Sequence, residues 1–192
     1  MRIVAGMLRG RKVDAPSGSG TRPTTDRVRE ALFSSMYSLR GGFEGAVVLD
    51  AFAGSGALGL EALSRGAETA VFYERDPKAA SVLAANIASC GLSGAQAMLV
   101  RRDVMQAPPL DQEKPFDLVL LDPPYDYDPD EVMSLVTKLR DGGVLADDAI
   151  VVYEHDLKSD AAVEATASAS GFDRKAKKYG KTGVSIMTLR VE

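Results

Sequence analysis

The sequence predicts an α/β fold, a mostly parallel sheet with helices on both faces. Three observations predict it. From about residue 46 to 154, short apolar runs alternate with stretches of helical periodicity, the pattern of parallel strands joined by crossover helices. A glycine-rich turn, Gly54-x-Gly56-x-x-Gly59, joins the first of those runs to the first of those helices, as in β-loop-α units that bring backbone close to a ligand. Finally, that turn, Glu74, Asp103 and Asp122 all fall just after predicted strands, and open α/β sheets bind ligands at the carboxyl ends of their strands.

Residues 2–6 and 11–13 flank a turn through Arg9-Gly10 and predict a short basic β-hairpin. After a loop rich in Gly, Ser and Pro, apolar residues at Val28, Ala31, Leu32, Met36 and Leu39 recur at helical spacing behind Thr25 or Asp26 as N-cap. Strands are predicted at 46–51, 69–73, 97–101, 116–121 and 149–154. Helices are predicted at 57–65, at 77–90 with Asp76 capping and Pro77 in the first turn, and at 129–140 with Asp128 capping and Pro129 behind it. Two strands, 173–179 and 184–191, close the chain around Gly180 and Gly183.

At 192 residues the chain holds one α/β domain, burying roughly 70% of the surface its unfolded form exposes. The division expected is a basic hairpin-and-helix extension over 1–40 and a main domain over 41–192. Hydrophobic content of 45% and charged content of 26% are those of an ordinary globular protein. With no apolar run of about eighteen residues and no apolar leader, the expectation is a cytoplasmic protein without a membrane segment. Cys90 is the single cysteine and His155 the single histidine, so a disulfide, a zinc cluster and a His-pair mechanism are excluded and no metal is expected. Both residues are expected to be structural. Nothing calls for more than a monomer.

The densest chemistry lies in Asp122-Pro123-Pro124-Tyr125, after the apolar run 116–121. A carboxylate and a fixed backbone carbonyl can accept from the two N–H groups of an exocyclic amine, while the Tyr ring stacks on the base that carries it. The prolines lock φ and remove backbone donors, leaving acceptors toward the amine. Upstream, 47–59 passes from a buried-strand run into the glycine turn, whose helix N-terminus offers N–H groups to a carboxylate or phosphate. Alone this is weak, because the same glycines form a dinucleotide fingerprint. Glu74, about twenty residues on, is spaced to accept from ribose hydroxyls, and Asp103 could accept from an adenine amine. The segment 22–27, with its hydroxyls and guanidiniums, reads as a ligand-contacting loop.

Net charge is −4, unevenly spread: residues 1–40 hold eight Lys/Arg against three Asp/Glu, residues 172–190 six against one, and residues 41–171 nine against twenty-two. Basic ends on an acidic body fit phosphate-contacting arms around a catalytic core.

Arg22-Pro23-Thr24-Thr25-Asp26-Arg27-Val28-Arg29-Glu30, the run Phe52 to Arg65, and Asp122-Pro123-Pro124-Tyr125 together resemble the RsmD family, bacterial 16S rRNA guanine-N2 methyltransferases; the similarity covers essentially the whole chain in order. The resemblance implies a class I, Rossmann-like methyltransferase sheet of seven strands with an antiparallel last strand, S-adenosylmethionine as methyl donor, and a guanine of 16S rRNA, in the 30S subunit or an assembly intermediate, as acceptor. It assigns the Phe52–Gly56 turn to the methionine portion, Glu74 to the ribose, and Asp103 with Val104 to the adenine. Asp50, Ser55, Gly54, Arg75 and Asp122 complete the cofactor set. Asp122, Pro123, Pro124 and Tyr125 form the catalytic set, and Arg22, Thr24, Thr25 and Arg27 join Tyr125 as substrate contacts.

Three other readings share features with this one. An NAD-dependent oxidoreductase would use the same glycine turn and Glu74 but leaves Asp122 to Tyr125 and the basic ends unexplained. A DNA or other RNA amino-methyltransferase would use the same pocket, although about forty residues at each end cannot hold a domain that reads a duplex. A non-catalytic ribosome-assembly factor would bind rRNA without methyl transfer.

Overall fold

A computed structural model describes residues 1–16 and 26–190. Arg22, Thr24 and Thr25 lie outside the described residues. Seven strands form one sheet: β1 (Val47–Asp50), β2 (Thr69–Tyr73), β3 (Ala97–Val100), β4 (Phe116–Leu121), β5 (Leu145–Asp156), β6 (Phe172–Tyr179) and β7 (Thr182–Leu189). Their order is β3-β2-β1-β4-β5-β7-β6. β1 to β5 pair in parallel, whereas β7 runs antiparallel to both β5 and β6. The parallel sheet and the antiparallel last strand are therefore as expected.

The helices α1 (Asp26–Arg40), α2 (Ala57–Ser64), α3 (Pro77–Ser89), α4 (Pro129–Asp141) and α5 (Asp160–Ala169) cover both faces. One core cluster joins Leu32, Phe33 and Met36 of α1 to Leu60 of α2, Leu83 of α3 and the sheet residues Val48, Phe72 and Ile186. The opposite cluster packs Val132, Leu135 and Leu139 of α4 with Val163 of α5 against Leu49, Val119 and Val151. Inner strands buried on both sides must be continuously apolar, which is why they were legible as runs. The caps act as expected: the Asp76 carboxylate accepts from the Lys78 and Ala79 N–H groups, and that of Asp128 from the Asp130 N–H. Among the described residues no helix is long and apolar enough to cross a membrane.

Three elements differ from the sequence reading. The N-terminal hairpin contains only an isolated Arg2–Lys12 bridge, because its donors are spent on α2: the Val4 and Ala5 N–H groups bind the Glu61 carboxylate, and those of Met7 and Leu8 bind Ser64. β5 starts at Leu145 rather than 149, its register with β4 shifting between Phe116 and Leu118, so an irregular stretch absorbs the polar residues Asp147 and Asp148. α5 was not predicted, since only Val163 and Ala167 of its ten residues are buried, too few for a recognisable periodicity.

Candidate active site

At the carboxyl ends of β1, β2 and β4 a cavity of about 460 Å³ opens. Of the predicted residues, Asp50, Phe52, Gly54, Ser55, Glu74, Arg75, Asp103, Val104, Asp122 and Pro124 line it. Four elements converge there because the first three strands and β4 all point the same way. Gly54 (φ 54°) and Gly56 (φ 79°) adopt left-handed conformations in the turn, which glycine enters without steric cost. Gly56 itself lies beneath the cavity, where a Cβ would stand 2.2 Å from Leu83 Cδ1.

Glu74 ties this turn to the end of β2. Its Oε2 accepts from the Gly54 N–H at 2.8 Å and its Oε1 from the Asp76 N–H at 2.7 Å. A carboxylate offers about four lone-pair directions, so acceptor capacity remains. Asp103 is held similarly: Oδ1 accepts from the Met105 N–H at 2.9 Å and Oδ2 from the Arg75 guanidinium at 2.9 Å. Arg75 stands 5.7 Å from the centroid of the Tyr127 ring, which meets Phe52 edge-on at 5.5 Å. Phe52, Tyr127 and Arg75 thus form one wall.

The floor is acidic. Asp50 is buried and accepts from the Gly59 N–H at 2.9 Å; burial, reinforced by the charge of Glu74, pushes its carboxyl up to about 7. Asp122, one strand over, is pushed well above the ordinary carboxylate range, first by desolvation, then by Glu154 and Asp50. Each unit of such a shift is worth about 1.4 kcal/mol. The sign for stability follows. Asp50 is raised above the unfolded 3.8, so the folded state holds a proton there that the unfolded chain has released, and the associated stability is full below that value and lost as pH rises through about 7. Asp50→Asn keeps an acceptor for Gly59 and removes the titration. Between pH 5 and 8, denaturant unfolding of the wild type is expected to lose more stability than that of the variant, by on the order of 3 kcal/mol; parallel profiles would contradict the assignment.

Some predicted residues are not brought together. Pro123 is buried and does not line the cavity. Tyr125 lies beside it, half exposed, with its hydroxyl 3.0 Å from Thr182 Oγ1. Arg27 is exposed on α1 away from the lining. His155 is also outside the lining, buried with Nε2 2.9 Å from Ser185 Oγ, and Cys90 is buried at the end of α3. Conversely, the lining includes Tyr127, Arg29 and Lys78, none of them singled out from the sequence. A second tyrosine two residues after Tyr125 was a signal for Tyr127; for Arg29 the hints were its place in the 22–30 motif and its charge on the apolar side of α1.

The strand order, the glycine turn tied to an acid at the end of β2, and the Asp-Pro-Pro-Tyr turn after β4 define a class I methyltransferase. The family described as Conserved hypothetical protein 95 matches residues 1–188. The protein YlbH of Bacillus subtilis (strain 168) is 36% identical over 192 residues, 99% of this chain and 100% of its own. Ribosomal RNA small subunit methyltransferase D of Escherichia coli (strain K12) is 40% identical over 160 residues, 83% of this chain and 76% of its own. The solved structure of yhhF from Escherichia coli matches with a TM-score of 0.79 at 35% identity, covering 100% of this chain and 99% of that one. The chain belongs to this family, the RsmD family its motifs resemble.

Proposed function

We propose that the protein methylates the exocyclic N2 amine of a guanine in 16S rRNA, within the 30S subunit or an assembly intermediate, using S-adenosylmethionine. The observation that carries this reading is the placement of Asp122, which shares the cavity with the glycine turn and Glu74 while beginning the Asp-Pro-Pro-Tyr turn. The name of the Escherichia coli relative supports an rRNA substrate, and the basic ends of the chain suit phosphate contacts.

The residues fit the methyl donor. About 460 Å³ lies in the range of small-molecule sites. Glu74 has acceptor capacity for ribose hydroxyls, Asp103 with the adjacent Val104 backbone suits an adenine edge, and the acidic floor of Asp50 and Asp122 suits a positively charged ligand. When bound, S-adenosylmethionine supplies an electrophilic methyl carbon on a sulfonium. Asp122, with a backbone carbonyl of the turn that follows it, accepts hydrogen bonds from the guanine amine, localises its lone pair, and stabilises the positive charge that develops on nitrogen. Pro123 and Pro124 contribute no N–H to compete. Holding the reactants in line is worth up to roughly 7–11 kcal/mol, and this reading requires no metal. The acceptor base must be unpaired or flipped to reach Asp122, at a cost of a few kcal/mol that stacking on Tyr125 partly offsets. On this reading the enzyme is cytoplasmic and acts as a monomer.

The test is transfer of radiolabelled methyl to 30S particles and to naked 16S rRNA from a strain lacking the enzyme, with the modified nucleotide mapped. Label in a single N2-methylguanine supports the reading, and label elsewhere, or none, overturns it. Glu74→Gln is expected to weaken S-adenosylmethionine binding by roughly 1.5–3 kcal/mol, the loss of hydrogen bonds to a charged group. Calorimetry measures this directly, with NADH as the control; unchanged affinity would remove Glu74 from the ribose site.

A further inference from the structure

We propose that Thr182 is a positioning residue that holds the Tyr125 ring as the outer wall of the acceptor-base site; this rests on the function proposed above. Tyr125 is a large aromatic side chain left 50% exposed on the turn after β4. An unrestrained ring there would sample several rotamers and be ordered only when a base arrived, at an entropic cost to binding. Its hydroxyl instead lies 3.0 Å from Thr182 Oγ1, 57 residues away, so the ring has a fixed partner before substrate arrives.

The partner is itself fixed. β6 and β7 are joined by the two residues Gly180 and Lys181, with Tyr179 paired to Thr182. Gly180 has φ 65° and Lys181 does not have a positive φ, the requirement of a tight type II′ hairpin turn. Next to Thr182, Gly183 lies against the buried His155 imidazole so closely that a Cβ would stand 2.3 Å from Cε1. His155 is in turn pinned, with Nε2 2.9 Å from Ser185 Oγ and Nδ1 3.0 Å from the Asp156 carbonyl. The Leu157 N–H also donates to the Lys181 carbonyl at 2.9 Å. The only histidine, which the chemistry leaves unused, thus serves as the bed on which the hairpin tip rests.

Topology explains why this tip reaches the site at all. β4 and β5 end at the carboxyl edge of the sheet, and β7, antiparallel to β5, begins there. The reversal of the last strand returns the chain to the edge where Asp122 and Tyr125 stand, and Thr182 is the first residue of that strand.

A double-mutant cycle on methyl transfer to 30S particles tests the clasp. Thr182→Val keeps the side-chain shape and removes the hydroxyl, and Tyr125→Phe keeps the ring and removes its hydroxyl. Each is expected to raise KM for particles by roughly 3- to 10-fold, the range of one hydrogen bond, with the change falling on KM rather than kcat and S-adenosylmethionine affinity unchanged. The double variant is expected to be no worse than either single one, and Thr182→Ser to restore the wild-type KM. Additive effects, an unaltered KM in Thr182→Val, or a KM change matched by an equal loss of thermal stability and cofactor affinity would overturn the clasp while leaving the proposed activity standing. A wild type that transfers no methyl to particles would overturn both.

Discussion

Asp122→Ala is expected to lower kcat for methyl transfer by roughly 10²- to 10³-fold, the effect of removing one preorganised group that stabilises developing charge, while S-adenosylmethionine affinity changes little. The physical reason lies in the lone pair of the guanine amine, which is delocalised into the ring and released for attack only if both N–H groups are held by acceptors. Asp122 is one of those acceptors, and Pro123 and Pro124 ensure that backbone donors do not take its place. Asp122→Asn should be less damaging than Asp122→Ala, because its amide oxygen still accepts from the amine although the negative charge is lost. Only the ionised carboxylate sets a negative charge against the positive charge developing on nitrogen, and desolvation with the neighbouring Glu154 and Asp50 raises this carboxyl well above 3.8. The rate is therefore expected to fall as pH drops through that raised value, well before an exposed carboxylate would titrate. Single-turnover rates across pH, with cofactor binding measured in parallel, separate the roles. Normal single-turnover chemistry in Asp122→Ala would remove Asp122 from the reaction; a rate loss matched by an equal loss of affinity would make it a cofactor contact only.

What could be seen in advance divides according to whether its cause is local. β4 was predicted at its observed bounds, Phe116–Leu121, because a strand buried on both faces is apolar apart from Asp117, whose carboxylate accepts from the Val47 N–H. The starts of α3 and α4 were legible because Asp-Pro pairs at 76–77 and 128–129 both cap the helix and pre-set its first turn. The grouping of Gly54, Glu74 and Asp103 around one cavity was legible for the same reason: each follows a strand within a few residues, and parallel strands deliver such residues to one edge. α5 was hidden because its Ala-rich segment, with only Val163 and Ala167 buried, buries too little to imprint a period. Tyr125 could be placed on the turn after β4 from the sequence alone, whereas its contact with Thr182 joins residues 57 positions apart and could not. Arg29 and Glu61 were invisible as site-building residues because their partnership exists only when α1, α2 and the N-terminus meet.

That partnership carries the second large effect. Glu61→Ala is expected to destabilise the protein by about 3–5 kcal/mol, as for loss of one member of a buried ionic network, at least a fifth of the roughly 5–15 kcal/mol that holds a typical domain together. Glu61 is 0% exposed on α2, and its carboxylate has no idle oxygen. Oε1 accepts from the Ala5 N–H at 3.0 Å and Arg65 Nε at 2.8 Å, and Oε2 accepts from the Val4 N–H at 2.8 Å with Arg29 Nε at 3.6 Å. Arg29 is 1% exposed, and it also donates to the Arg2 carbonyl at 2.5 Å. Removing the carboxylate would strand two backbone donors and take away the acceptor that the Arg29 and Arg65 guanidiniums share. Glu61→Gln should recover little, because an amide restores one acceptor and places a donor against groups that only donate. At about 2–4 °C per kcal/mol for a chain of this size, the thermal midpoint should fall by on the order of 10 °C. A fall of under about 3 °C would mean that water or a repositioned N-terminus replaces the carboxylate cheaply. Activity should suffer as well: Met1, Ala15, Pro16 and Arg29 line the cavity, and Glu61 fastens the segment that carries the first three. Loosened there, that part of the cavity wall opens, so S-adenosylmethionine affinity is expected to fall below the temperature at which Glu61→Ala begins to unfold. Undiminished affinity at such temperatures would show that the N-terminal segment is dispensable to the pocket and that Glu61 serves stability alone.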